Sequence, residues 1–207
     1  VVTGNGIITI GLINTRSVCN KALDVCDLFF EYKLDVLCTT ETWLHGDIRD
    51  EPILVDMTPK NYTTVHQPRL GRGGGIAVTM RDELSVTERR KPNKESFECM
   101  DVKLPTQPPL RLITIYRPPS THSTETFLKE MEELLNDLVM CSGHLVVAGD
   151  FNLHVDAPAE NTDAREFLLL MNSYGLDQHV QGATHTAGHT LDLVFTRNQS
   201  DSLPVVE

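Results

Sequence analysis

The segment "HLVVAGDFNLHVD", residues 144–156, decides how this chain folds. Leu145 to Ala148 form a short apolar run that ends at Gly149. A run of that kind, bounded by a glycine, reads as a strand buried on both faces. Such strands belong to layered α/β proteins, in which helices cover the faces of sheets. The polar residues that follow are the anomaly. Asp150 and Asn152 stand two apart, with Phe151 between them. The pattern predicts a tight exit at Gly149 and a Phe151 that turns back as an anchor. The acid and the amide would then point together at one place.

Outward from this strand, the rest of the chain alternates in the same way. Residues 7–13, "IITIGLI", read as a strand with Asn14 at its end, and 18–32 carry apolar residues at helical spacing. "DVLCTTETWL" (35–44) reads as a short buried strand with Glu41 near its end, and "GRGGGIAVTM" (71–80) as a glycine-rich loop feeding a strand. "FECMDVKL" (97–104) alternates weakly. "LRLITIYRPP" (110–119) alternates clearly until its proline pair stops it. The clearest helix is 124–139, where Phe127, Met131, Leu134, Leu135 and Leu138 make one stripe and Ser123 or Thr124 can cap it. A second helix covers about 163–173, with Asp163 and Glu166 at capping-box spacing and Gly175 as a stop. "LDLVFTR" (191–197) closes the pattern as a strand.

A chain of 207 residues, 40% of them hydrophobic, has material for one core and no linker long enough to split it, so residues 1–207 read as a single domain. The net charge of -11 argues against coating nucleic acid by bulk charge, though not against an enzyme that touches it through a few cations and a metal. The charge is uneven. Residues 69–91 hold six basic and three acidic side chains, net +3, and are the best candidate for a polyanion-facing surface; ordinary surface arginines explain them about as well. The five cysteines are odd in number and irregular in spacing, with no C-x-x-C pair, which predicts reduced thiols inside a cell. No apolar run approaches the ~18 residues of a membrane span, so no membrane partner is expected.

Six polar residues recur at the ends of apolar strands: Asn14, Glu41, Tyr116, Asp150, Asn152 and Asp192. Each alone has an ordinary explanation as a turn former, a cap or an edge aromatic. As a set they point to one sheet edge, where sites form in layered α/β proteins. Asn, Glu and Asp without Cys make a hard-oxygen set suited to Mg²⁺ or Mn²⁺. Such an ion beside a phosphate polarises its oxygens while a carboxylate activates water.

The ordered segments "TETWL", "GRGGGIAV", "TIYRPPS", "VVAGDFNLH" and "HTLDLVFTR" resemble the endonuclease domain of non-LTR (LINE-type) retrotransposons, closest to the chicken-repeat-related clade. Those domains belong to the endonuclease/exonuclease/phosphatase superfamily. The resemblance spans nearly the whole chain. It implies a four-layer α/β sandwich like deoxyribonuclease I, and Mg²⁺-dependent nicking of double-stranded DNA for target-primed reverse transcription. It further implies a larger polyprotein with a reverse transcriptase, acting in the nucleus. Carried across, Glu41 is the principal metal ligand with Asn14 beside it, and Tyr116 steadies the scissile phosphate. Asp150 positions or deprotonates the attacking water, Asn152 holds that geometry, and Asp192 orients a catalytic histidine. Arg69, Arg72 and Arg117 are the expected DNA contacts.

The same resemblance implies a closing Ser-Asp-His segment, where this sequence has Ser-Asp-Ser at 200–202. The expected fold therefore lacks the last strand segment, and the expected activity of the shortened chain is weak or absent. His185 and His189 are four apart, but "THTAGHT" reads as a loop, which gives them a structural or substrate-edge role. The alternative function is a catalytically inactive element remnant that serves as a binding or interaction domain.

Overall fold

The computed structural model describes residues 1–3, 6–69, 73–119 and 122–197. A small hairpin of β1 (Val2–Thr3) and β2 (Gly6–Ile7) precedes β3 (Ile10–Asn14), α1 (Ala22–Glu31) and β4 (Val36–Thr40). Then come α2 (Asp50–Met57), β5 (Tyr62–Gln67), β6 (Ile76–Arg81), β7 (Glu88–Arg90), β8 (Glu98–Leu104) and β9 (Leu110–Tyr116). The second half holds α3 (Thr124–Val139), β10 (His144–Asp150), α4 (Thr162–Ser173), β11 (Leu176–Gln178) and β12 (Asp192–Arg197). Besides the hairpin, the described strands form a four-stranded sheet in the order β3-β4-β6-β5 and a six-stranded one in the order β11-β12-β10-β9-β8-β7.

Three apolar clusters lie between four layers. One joins α1 and α2 to the four-stranded sheet through Val25, Phe29, Leu37, Met57 and Ala77. A second fills the space between the sheets, with Val36, Cys38 and Val78 facing Leu112, Val146 and Ala148. The third joins the six-stranded sheet to α3 and α4 through Ile113, Ile115, Phe127, Val147 and Phe167. The period of two explains the split. In β10, Val146 and Ala148 enter the middle cluster while Leu145 and Val147 enter the outer one. A strand covered on both sides has no polar face, which is why "LVVA" is unbroken.

The two parallel pairs, β3 with β4 and β9 with β10, are separated in sequence by α1 and α3. Helix α3 keeps the residues expected of it, and Ser123 caps it by accepting from the Thr126 amide. The start of α4 differs from expectation. Asn161, not Asp163, is the cap, accepting from the Ala164 amide, while Asp163 accepts from Thr124 of α3. Gly175 stops that helix with φ +69°, its amide donating to the Asn172 carbonyl. The strand read over 35–44 ends at Thr40, and residues 41–45 form an irregular turn. The Ser-Asp-Ser stretch at 200–202 lies outside the described residues. No described helix is long and apolar enough to cross a membrane.

Candidate active site

Strand register assembles the site. Along the six-stranded sheet, Glu98 pairs with Tyr116, Tyr116 with Asp150, and Asp150 with Asp192, so the four side chains stand in one row at one edge. Along the other sheet, Asn14 pairs with Thr40 and Thr40 with Ile76, at the edge stacked over that row. The link between rows is direct. Asn14 Nδ2 donates to Asp150 Oδ2 at 2.7 Å and to Glu41 Oε1 at 2.8 Å. All six strand-end residues expected from sequence therefore converge, apart from the detail that Asn14 presents its amide nitrogen, not its oxygen, to both acids.

Two glycine features make the edge possible. Gly149 lies so close to β9 that an added Cβ would sit 1.9 Å from the Ile115 carbonyl oxygen. The loop Gly73–Gly75 is left-handed throughout, and its carbonyls take the amides of Thr42 and Trp43, which fixes the turn carrying Glu41. Non-glycine residues adopt positive φ here as well: Arg16 (44°), Ser17 (81°), Glu41 (52°), Trp43 (57°) and Asn152 (48°). Left-handed backbone is costly for most of these residues, and five such positions gather around one cluster of acids.

After Asp150 the chain turns sharply. Phe151 is fully buried, 5.0 Å from the Phe167 ring and 5.8 Å from Phe195. It pins the turn, so Asp150 and Asn152 stay on the site side. The Asn152 amide donates to Asp150 Oδ1 at 3.0 Å, and its side-chain nitrogen to Asp150 Oδ2 at 3.3 Å.

The electrostatics are those of crowded acids. Burial, then the facing Asp192, then Glu41 push the Asp150 carboxyl up to about 7, against the pull of donors from Asn152 and Asn14. Burial also raises Asp192, whose Oδ1 has no hydrogen-bond partner. Burial and the neighbouring acids raise the Tyr116 phenol, so it stays a proton donor. A buried oxygen without a partner and acids that repel one another are what a bound cation relieves. The donor set of carboxylates and an amide fits a hard divalent ion. Among the described residues no three His, Cys, Asp or Glu groups close a cage by themselves. Mg²⁺ asks for no such cage, since it takes one or two carboxylates and fills its shell with water and phosphate.

Sequence reasoning missed three neighbours. The Trp43 indole donates to Glu41 Oε2 at 3.3 Å. Glu98 accepts from the Gly75 amide at 2.7 Å and anchors the glycine loop. Exposed Arg16 brings positive charge to Asp192. Trp43 is the single tryptophan and directly follows "TET", a signal available from sequence. Glu98 gives none, because its role arises only across sheets. The expected DNA cations divide. Arg69 lies at the rim, 3.6 Å from Glu98, and Arg72 lies outside the described residues. Arg117 is 7% exposed and turned inward, so it offers DNA no free cation. The basic stretch is largely paired elsewhere: Arg81 with Asp35, Arg90 with Glu88, and Arg89 with the His66 carbonyl.

The histidines form a separate group. The rings of His154 and His189 lie 3.9 Å apart, and His189 Nδ1 is 3.3 Å from Asp156. Residues 183–190 are a loop, as expected, and Thr184 Oγ1 accepts the amides of Leu191 and Asp192, holding the start of β12. A concavity of 420 Å³ is lined by residues such as Leu168, Val180 and Thr190 and takes no wall from the acid row. The acid row is half-buried: Asp150 and Tyr116 are buried, and Asn14, Glu41, Asn152 and Asp192 are partly exposed.

A family model for the endonuclease/exonuclease/phosphatase family matches residues 12–206. The chain belongs to that family. Its members are nucleases, phosphatases and phosphodiesterases, and the nucleases generally use divalent metals. No curated protein matches the chain in sequence. Among solved structures, a 3' phosphatase from Neisseria bound to a product DNA hairpin is similar at TM-score 0.72 and 16% identity, over 92% of this chain and 87% of that one. An AP endonuclease from Archaeoglobus fulgidus is similar at TM-score 0.67 and 16% identity, over 92% and 86%. A humanized D. rerio TDP2 is similar at TM-score 0.66 and 15% identity, over 95% and 86%. At these identities the likeness establishes the two-sheet α/β sandwich, in agreement with the fold expected from sequence.

Proposed function

We propose that this chain is a metal-dependent phosphodiesterase that nicks double-stranded DNA. The observation that carries the reading is the single row Glu98–Tyr116–Asp150–Asp192 facing Asn14 and Glu41 across the sheets. Glu41, with Asn14 beside it, would hold Mg²⁺ or Mn²⁺. When bound, the ion supplies charge to the phosphoryl oxygens and to the leaving oxygen. The chain's own residues do the rest. Asp150, buried beside the proposed metal ligands, takes a proton from the attacking water. Asn152 and Asn14 donate to Asp150 and fix its two oxygens in place. Tyr116, kept protonated by its surroundings, donates to a non-bridging phosphate oxygen.

DNA as substrate is supported by neighbours described as an AP endonuclease and as a phosphatase bound to a DNA hairpin. The segments from "TETWL" to "HTLDLVFTR" support a narrower role, nicking a target in the nucleus to prime reverse transcription, within a polyprotein that carries the reverse transcriptase. Relaxation of supercoiled plasmid with Mg²⁺ tests the activity, alongside release of inorganic phosphate from a 3'-phosphorylated oligonucleotide. Glu41→Gln should lower nicking by ~1,000-fold or more with an unchanged circular dichroism spectrum. Phosphate release without nicking would overturn the endonuclease reading.

A further inference from the structure

We propose that Arg117 is a positioning residue whose guanidinium locks the turn carrying Asp150 and Asn152. The proposal rests on the reading of that turn as catalytic. Arg117 Nη1 donates to the carbonyl oxygens of both Phe151, at 3.2 Å, and Asn152, at 3.3 Å. The backbone of the same residue grips the turn from the other side. Its amide donates to the Asp150 carbonyl at 2.8 Å, and its carbonyl accepts from Asn152 Nδ2 at 2.7 Å. One residue therefore makes four contacts to three consecutive residues of the turn.

The guanidinium sits 4.7 Å from the Phe127 ring centre of α3. Among the described residues no carboxylate stands within ion-pair distance of it, and the acid acting on it, Asp163, does so from farther away. Burial works against its charge. A cation in such a place needs another reason to be there. Two carbonyl oxygens at the end of one turn and an aromatic face supply it, since a guanidinium is planar, weakly hydrated and rich in donors. Asn152 has φ +48°, a left-handed state open to asparagine, and a single turn geometry still needs its ends held. The bond to its carbonyl, together with the bond from its side chain to the Arg117 carbonyl, is the local means of holding them. A lysine ammonium cannot stack on the ring and span both carbonyls in the same way.

Hydrogen exchange and kinetics on the metal-free and Mg²⁺-loaded chain test this. In Arg117→Met, which keeps the apolar stem over Phe127, the Asn152 amide should exchange ~10-fold faster or more, with Val146 and Val147 unchanged. Single-turnover nicking should fall ~10–100-fold, because small misplacements of catalytic groups are costly. Affinity for a short duplex, measured without metal, should change less than ~2-fold. Native exchange at Asn152 would overturn the proposal. So would a loss of affinity with a shallower salt dependence, which would make Arg117 a phosphate contact. If Arg117→Met does not fold, Arg117→Lys takes its place with the same pattern expected, and native exchange there overturns the claim for the guanidinium. A wild-type chain that fails to nick removes the functional reading, and the exchange comparison still decides the role of Arg117.

Discussion

Removing metal and raising pH should loosen this protein through one carboxyl. Asp150 is held up to about 7 in the folded chain against an ordinary 3.8, with burial as the first cause and Asp192 as the second. A carboxyl raised on folding binds its proton more tightly in the native state. Its stabilising contribution is therefore fully present below the unfolded value and is lost as pH rises through about 7. Across pH 5 to 8 the linkage amounts to ~2–3 kcal/mol. In a chain of this size that is a fall of roughly 4–12 °C in Tm. Histidines titrate in the same window, and burial lowers His66, His144 and His179, which acts in the opposite direction. The difference between wild type and Asp150→Asn removes their effect. The amide introduced at 150 changes hydrogen bonding by a pH-independent amount, so it offsets the curve without bending it. Urea denaturation in EDTA across this range reads the difference, and Mg²⁺ should flatten the wild-type curve by supplying the missing positive charge. Parallel curves for the two proteins in EDTA would refute the argument.

Two further outcomes follow from packing and charge. Phe151→Ala empties a fully buried site between Phe167 and Phe195 and should destabilise the fold by ~3–5 kcal/mol in urea denaturation; a loss below ~1 kcal/mol would show that the turn is not anchored there. Arg69→Ala should weaken duplex binding and lower the slope of log Kd against log salt by about one, and a steady slope would take this arginine off the DNA face.

How much of this was readable in the sequence depends on the range of the forces involved. Helix 124–139 is legible because its stripe and its Ser123 cap lie within a few turns of each other. Strand β10 is legible because burial on two faces leaves an unbroken apolar run. Helix α2, "DEPILVDM", escapes notice, since it buries only Asp50 and Met57 and carries Pro52 in its first turn. Strand β5, "YTTVHQ", is polar and largely half-buried, so period two hardly marks it. The six strand-end residues of the site are legible as a set because strands of a layered sheet end together. The inward turn of Arg117 is not, because it depends on carbonyls 34 and 35 positions away and on a helix ring. Charge counting over 69–91 misleads for the same reason. It cannot see that Arg81 faces Asp35 across 46 positions, at the end of β6 away from the acids.

The Asn14 bridge has a consequence for how the domain can be damaged. Its two acceptors belong to different layers: Glu41 follows β4 of one sheet and Asp150 ends β10 of the other. The layers meet through a middle cluster in which Thr114 donates to the Cys38 sulfur at 3.3 Å. A slip of one sheet on the other would part Asn14 from Asp150 before it exposed any of the core. On the proposed function, turnover would gauge how the two sheets are seated, and substitutions deep in the middle cluster should silence the edge while the protein still looks folded.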